Sequence, residues 1–140
     1  MPRVYTTSRR VEFHQTDAAG IAHFSAFFRY MEEAEHELLR HAGLSVFTED
    51  VEGTLSWPRV SAHCDFHGPA RFEDVLQIAV DIGRMGEKSV TYRFRFTLDE
   101  KSIASGTMTS VCCRITAGGL PVSIPIPQRI LDKLAPFVCD

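Results

Sequence analysis

Residues 11–34 read Val-Glu-Phe-His-Gln-Thr-Asp-Ala-Ala-Gly-Ile-Ala-His-Phe-Ser-Ala-Phe-Phe-Arg-Tyr-Met-Glu-Glu-Ala. The segment begins as a strand, breaks into a short loop and opens a long amphipathic helix. From Phe24 onward Phe24, Phe27, Phe28, Met31, Ala34, Leu38, Leu39 and Ala42 recur at three- and four-residue steps, which makes one continuous apolar face. Gly43 is suited to stop the helix. A face so rich in phenylalanine and methionine needs a broad apolar partner, and a curved sheet is the natural one. The loop carries Asp17, three residues before Gly20. It therefore sets an anionic group beside the free backbone N–H groups of a helix start. That pairing suits attack on a carbonyl, because the helix end can stabilise the oxyanion that forms.

The flanking sequence supplies the sheet. Residues 3–14 read as a strand with Tyr5, Thr7, Val11 and Phe13 on one side. Residues 45–56 are acidic and contain glycine, and read as a connection. Everything after Trp57 is strand-like: residues 57–66 and 75–83 alternate moderately, and residues 103–115 continue the pattern. Alternation is clearest in 89–98, where Val90, Tyr92, Phe94, Phe96 and Leu98 oppose Ser89, Thr91, Arg93, Arg95 and Thr97. Asp99-Glu100-Lys101 is a hairpin-type connection, and the tail after Pro125 holds a short terminal helix. Short loops imply antiparallel neighbours. The expected fold class is α+β: one domain over residues 1–140, with one long helix wrapped by a five- to six-stranded antiparallel sheet.

Composition narrows the function. The chain has 140 residues, 44% hydrophobic and 24% charged, with a formal net charge of -3. That balance is ordinary for a globular domain and gives no support for nucleic-acid binding. No stretch approaches the roughly 18 apolar residues of a membrane span, and the N-terminus lacks a signal-peptide core. Cys64, Cys112, Cys113 and Cys139 form no C-x-x-C pair. A reduced, cytoplasmic protein is the simplest reading, with Cys112 and Cys113 on opposite faces of a strand.

Three motifs, in order and at compatible spacing, resemble the 4-hydroxybenzoyl-CoA thioesterase family of hotdog-fold enzymes. The first is Gln15-Thr16-Asp17, then Gly20-Ile21-Ala22, then Phe27 and Glu32. The second is Phe66-His67-Gly68-Pro69-Ala70, followed by Glu73-Asp74-Val75-Leu76. The third is Lys88-Ser89-Val90. The resemblance implies a hotdog fold and hydrolysis of an acyl-CoA thioester to acid and free CoA. It implies Asp17 as nucleophile or as general base for water, and a helix-start amide, that of Phe24 with or without that of His23, as oxyanion donor. It implies Lys88 and Ser89 as contacts for the CoA end. No metal and no redox cofactor are expected, since CoA arrives with the substrate. The partners implied are a small acyl-CoA and a second copy of the chain, as a homodimer or homotetramer with the active site at the subunit interface.

Each candidate also has a plainer role. Asp17 could be a helix cap or an Asx turn. Gly20 serves positive φ or a close backbone approach. His23 stands one position before the family's catalytic histidine, where this chain has Phe24, so it lines the pocket or simply sits near the helix start. Phe27 could line the acyl pocket, and Glu32 lies at the edge of the apolar face. Glu35 falls within that face and needs a partner, which is expected across a subunit interface. Gln15 replaces the first acid of the family's Asp-x-Asp. Lys88, Arg84, Arg93 and Arg95, opposed by Glu87 alone, are either a solvated face or phosphate contacts. His63-x-Asp65-x-His67 shares one strand face, and polar surface is its plainer reading against metal chelation. An acyl-carrier-protein thioester, a non-catalytic acyl-CoA-binding role and a metal-dependent hydrolase on the His63 face are the alternatives in function.

Overall fold

A computed structural model describes residues 3–139. One antiparallel sheet holds five strands: β1 (Tyr5–Arg10), β4 (Arg59–Phe66), β5 (Val75–Met85), β6 (Ser89–Leu98) and β7 (Lys101–Val111), in the order β1-β5-β6-β7-β4. Helix α1 (Phe24–His41) packs on one face of it. Val90, Tyr92, Phe94 and Phe96 of β6 point to the helix side and are buried, as the alternation requires. Leu76, Ile78, Val80 and Ile82 of β5 join them. The helix contributes Ala26, Phe27, Tyr30, Met31, Ala34, Leu38 and Leu39. Contact is close at Gly106 of β7, where an added Cβ would lie 2.6 Å from the Met31 sulfur and 2.7 Å from the His63 carbonyl oxygen.

The helix begins at His23, whose Nδ1 accepts the Ser25 N–H. It ends where Gly43 turns to φ +81°, and Leu44 N–H then donates to Leu39 O. Asp99 and Glu100 both adopt positive φ, so the β6–β7 hairpin is the tight two-residue type that matches strand twist.

Several expectations need correction. The first strand ends at Arg10; Phe13–Gln15 is a 3₁₀ turn closed by a reciprocal Glu12–Gln15 capping box, and Phe13 is exposed. Phe24, the first residue of the helix, is also exposed. Residues 45–56 are more than a connection. They form a hairpin, β2 (Thr48–Asp50) and β3 (Gly53–Ser56), which with β8 (Cys113–Ile115) and β9 (Val122–Ser123) makes a second, four-stranded sheet. Strands of two to four residues carry no readable period; pairing with one another makes them. The acidic residues there serve Arg114, which binds Asp50 at 2.5 Å and Glu52 at 3.4 Å. Cys112 and Cys113 are both buried, since the chain leaves the large sheet between them. A second helix, α2 (Gln128–Leu134), closes the tail as expected.

The outer face of the large sheet is polar. Arg93 grips buried Asp81 with two bonds of 2.8 and 3.0 Å, and Arg95 lies 3.5 Å from the same carboxylate. Asp81 thus opposes arginines that, along the sequence, have Glu87 alone against them. His63 pairs with Asp65 at 3.1 Å, while His67 bonds Ser105 at 3.1 Å, so the three side chains do not converge. Glu35 finds its partner within its own chain: Arg59 Nη1 lies 2.6 Å away, against the expectation of a partner across an interface. Burial pushes the Glu35 carboxyl up, and Arg59 counters only part of that.

Candidate active site

The loop between the 3₁₀ turn and α1 is held at both ends. His23 N–H donates to Gln15 O at 2.7 Å, and Asp17 N–H to Ile21 O at 2.8 Å. Ala22 N–H reaches Ala70 O at 2.7 Å, which docks the loop on the segment before β5. Gly20 adopts φ +80°, and a Cβ added there would meet nothing within 4 Å, so it serves the backbone turn and not a close approach.

This frame fixes the Asp17 carboxylate by one oxygen. Oδ1 accepts Ala19 N–H at 2.8 Å and, more distantly, Ile21 N–H at 3.5 Å. Oδ2 has no protein partner among the described residues. The Asx turn and the reactive reading are therefore compatible: one oxygen anchors the group and the other is presented. At the helix start, Ser25 N–H is capped by His23 and Ala26 N–H goes to His23 O. The Phe24 N–H has no acceptor among the described residues. His23 N–H is committed to Gln15, which removes it as an oxyanion donor.

Asp17, Ile21, Ala22, Phe24, Phe27, Phe66 and the run Gly68–Ala70 line one cavity of about 190 Å³. The Phe27 ring stands edge-on to Phe66 and Phe96, with centroids 5.3 and 5.2 Å away. The residues lining the cavity thus include the one with a half-free carboxylate, the first residue of the helix, whose N–H has no acceptor among the described residues, and aromatic rings. A larger hollow, about 350 Å³, lies over His63, Arg93 and Arg95 on the outer face, where no helix amide is offered. Chemistry marks the smaller one.

Not every candidate converges there. The His23 ring lines a neighbouring hollow with His14, Gln15 and Arg29. Glu32 is exposed two turns along α1, 3.6 Å from Arg59 Nη2. Lys88 and Ser89 lie at the far end of β6: Ser89 and Phe96 are separated by roughly 23 Å at strand rise. Phe66, Pro69 and Ala70 wall the cavity although sequence reasoning gave them no role. Their signal was the second motif, which the structure folds against the first.

The model of the Thioesterase-like superfamily matches residues 11–134. A provisionally named esterase of Aquifex aeolicus is 30% identical over 96% of this chain and 98% of its own. A 1,4-dihydroxy-2-naphthoyl-CoA hydrolase of Parasynechococcus marenigrum is 36% identical over 70% of this chain and 69% of its own. The crystal structure of a 1,4-dihydroxy-2-naphthoyl-CoA thioesterase from Synechocystis superposes with a TM-score of 0.82 at 23% identity, covering 95% of this chain and 96% of that one. The antiparallel sheets and helix are thus those of hotdog-fold thioesterases, and the chain belongs to the thioesterase-like superfamily, an enzyme that hydrolyses thioesters.

Proposed function

We propose that the protein hydrolyses an aroyl or acyl thioester of coenzyme A at Asp17, giving RCO–S–CoA + H₂O → RCOOH + HS–CoA. The observation that carries this reading is that Asp17 and Phe24 line one cavity while the Asp17 Oδ2 and the Phe24 N–H have no partner among the described residues. Oδ2 either attacks the carbonyl carbon, whose tetrahedral adduct expels the CoA thiolate and leaves an acyl-aspartyl anhydride that water then cleaves, or takes a proton from the attacking water. On both routes the Phe24 N–H donates to the oxyanion. Phe24, Phe27 and Phe66 receive the acyl group, and their rings suit a flat aromatic one. The two 1,4-dihydroxy-2-naphthoyl-CoA relatives support an aroyl substrate of that kind. Neither a metal nor a redox group enters these steps. Asp17→Asn should keep the fold, by circular dichroism, and lose at least ~10²-fold in turnover across a panel of acyl-CoAs. Near-normal turnover in that variant refutes the mechanism.

The assembly we propose is a homodimer paired through β4. That strand is a sheet edge, and Val60 and Phe66 on it are exposed. Antiparallel pairing about a two-fold axis sets the Phe66 end of one strand against the Arg59 end of the other. The Arg59 end also carries Lys88, whose carbonyl accepts Cys112 N–H, next to Val111 N–H bonded to Pro58 O. Such pairing turns Lys88 and Ser89 of the partner subunit toward the Asp17 cavity, where they can meet the CoA phosphates. It also gives the exposed side chains at both ends of the sheet, Phe24 and Phe47 among them, a surface to cover.

A further inference from the structure

Beyond the wall formed by residues 14–17 and the start of α1 lies a hollow of about 370 Å³, lined by His14, Gln15, Thr16, His23, Ser25 and Arg29, with Ala26 its one apolar side chain. No carboxylate lines it. Arg29 makes no ion pair among the described residues, and the acids that follow it on α1 are engaged elsewhere, Glu32 with Arg59 and Glu33 with Arg9. The Gln15 Oε1 already accepts Tyr30 O–H at 2.7 Å and Glu12 N–H at 2.9 Å. That fixes the orientation of the amide and leaves its Nε2–H₂ without an acceptor among the described residues. The His23 Nδ1 faces Ser25, 3.2 Å from its N–H and 2.8 Å from its hydroxyl, and in the tautomer that accepts from both the ring N–H is Nε2, across the ring from the helix. The helix end itself contributes nothing, since the Ser25 and Ala26 amides are both taken. The donors are side chains, converging from a loop and a helix that other contacts hold in place.

We propose that this hollow binds a phosphate-type oxyanion, held by the Arg29 guanidinium and by N–H donors from Gln15 and His23. A guanidinium fork with separate single donors around it matches a tetrahedral anion with several acceptor oxygens. Two sources share this chemistry: a phosphate on the CoA arm of the substrate, which rests on the thioesterase reading above, and a phosphate group on a separate small molecule. Either would bear on the Asp17 loop, because Gln15 carries both the amide donor and the carbonyl that fastens His23.

The probe is inorganic phosphate, titrated into the full chain at constant ionic strength while the His14 and His23 ring resonances are followed by NMR. Saturable shifts are expected in the wild type and in Asp17→Asn, and are lost in Arg29→Gln. Arg29→Lys, which keeps the charge without the fork, should bind more weakly. Arg29 is exposed, so these variants should fold, and circular dichroism checks it. The source follows from KM values for one acyl group carried on CoA and on N-acetylcysteamine, which has no phosphate. A roughly tenfold rise for Arg29→Gln on the CoA ester alone assigns the anion to the substrate. Saturable shifts with no such selective rise assign it to a separate ligand. Shifts that do not saturate in the wild type, or that survive in Arg29→Gln, overturn the proposal. Failure of the Asp17 mechanism is read separately, from the turnover of Asp17→Asn.

Discussion

At the residue scale, the candidate site depends on which polar atoms the fold consumes and which it leaves. Asp17, Gly20 and the Phe24 amide lie within eight residues of one another, so a local motif could reveal them. The fate of each atom could not be read that way. That His23 N–H is spent on Gln15, and that the His23 ring caps the helix beside a different hollow, depends on how the loop closes. Lys88 is the opposite case: the motif identifies it, but only the sheet shows how far it stands from Asp17. It is exposed and makes no ion pair among the described residues. Lys88→Ala should therefore raise KM for a full CoA ester at low salt, with kcat little changed. The defect should shrink as salt is added, because exposed phosphate contacts are screened over about 10 Å at 0.1 M. Steady-state kinetics at two ionic strengths checks this, and an unchanged KM at low salt removes Lys88 from the binding of CoA.

At the element scale, long elements with a clear period could be read and short ones could not. Helix α1 and strand β6 follow their apolar steps almost residue for residue. The small sheet escaped because β2, β3, β8 and β9 exist only by pairing. Asp81 escaped because it stands on the polar, outer side of β5, where only the pairing with β6 shows that Arg93 and Arg95 flank it. Helix and sheet meet at Gly106, and Gly106→Ala would drive a methyl group against the Met31 sulfur and the His63 carbonyl. The thioether can swing away; the carbonyl, fixed in β4, cannot. We expect a loss of about 1–3 kcal/mol, seen as a lower midpoint in thermal denaturation. Ion pairs between elements give a second test. Burial raises Asp81, but the Arg93 fork outweighs it and holds the carboxyl below its ordinary range. Burial likewise raises Glu37 on α1, and bonds from Arg9 and Thr7 on β1 outweigh it. Folded values below unfolded ones mean stability that is present above about pH 4 and is lost as pH falls through the folded values. Glu35, whose carboxyl is raised, contributes in the other direction, losing stability as pH rises from its ordinary range. With three lowered carboxyls, Asp50 beside Arg114 being the third, against one raised, urea midpoints should fall between about pH 5 and pH 3, and less steeply in Asp81→Asn.

At the scale of the whole molecule, the sequence carried both halves of the proposed site but not their separation. Order and spacing along a chain say nothing of which end of a sheet a residue reaches. Asp17 and Lys88 stand at opposite ends of one subunit, and the pairing proposed through β4 would bring them together only between subunits. Such a molecule can be damaged in two ways that repair each other. In a hybrid of an Asp17→Asn chain with a Lys88→Ala chain, one of the two sites unites an intact Asp17 with an intact Lys88, and the other collects both lesions. Unfolding the two variants together and refolding the mixture should therefore give more activity on a CoA ester, at low substrate, than the two refolded apart. A mixture no more active than its parts would mean that each chain works alone. If the recovery is seen, the gene would tolerate a pair of defective alleles that neither homozygote could: complementation within a single locus would follow from the direction in which one edge strand runs.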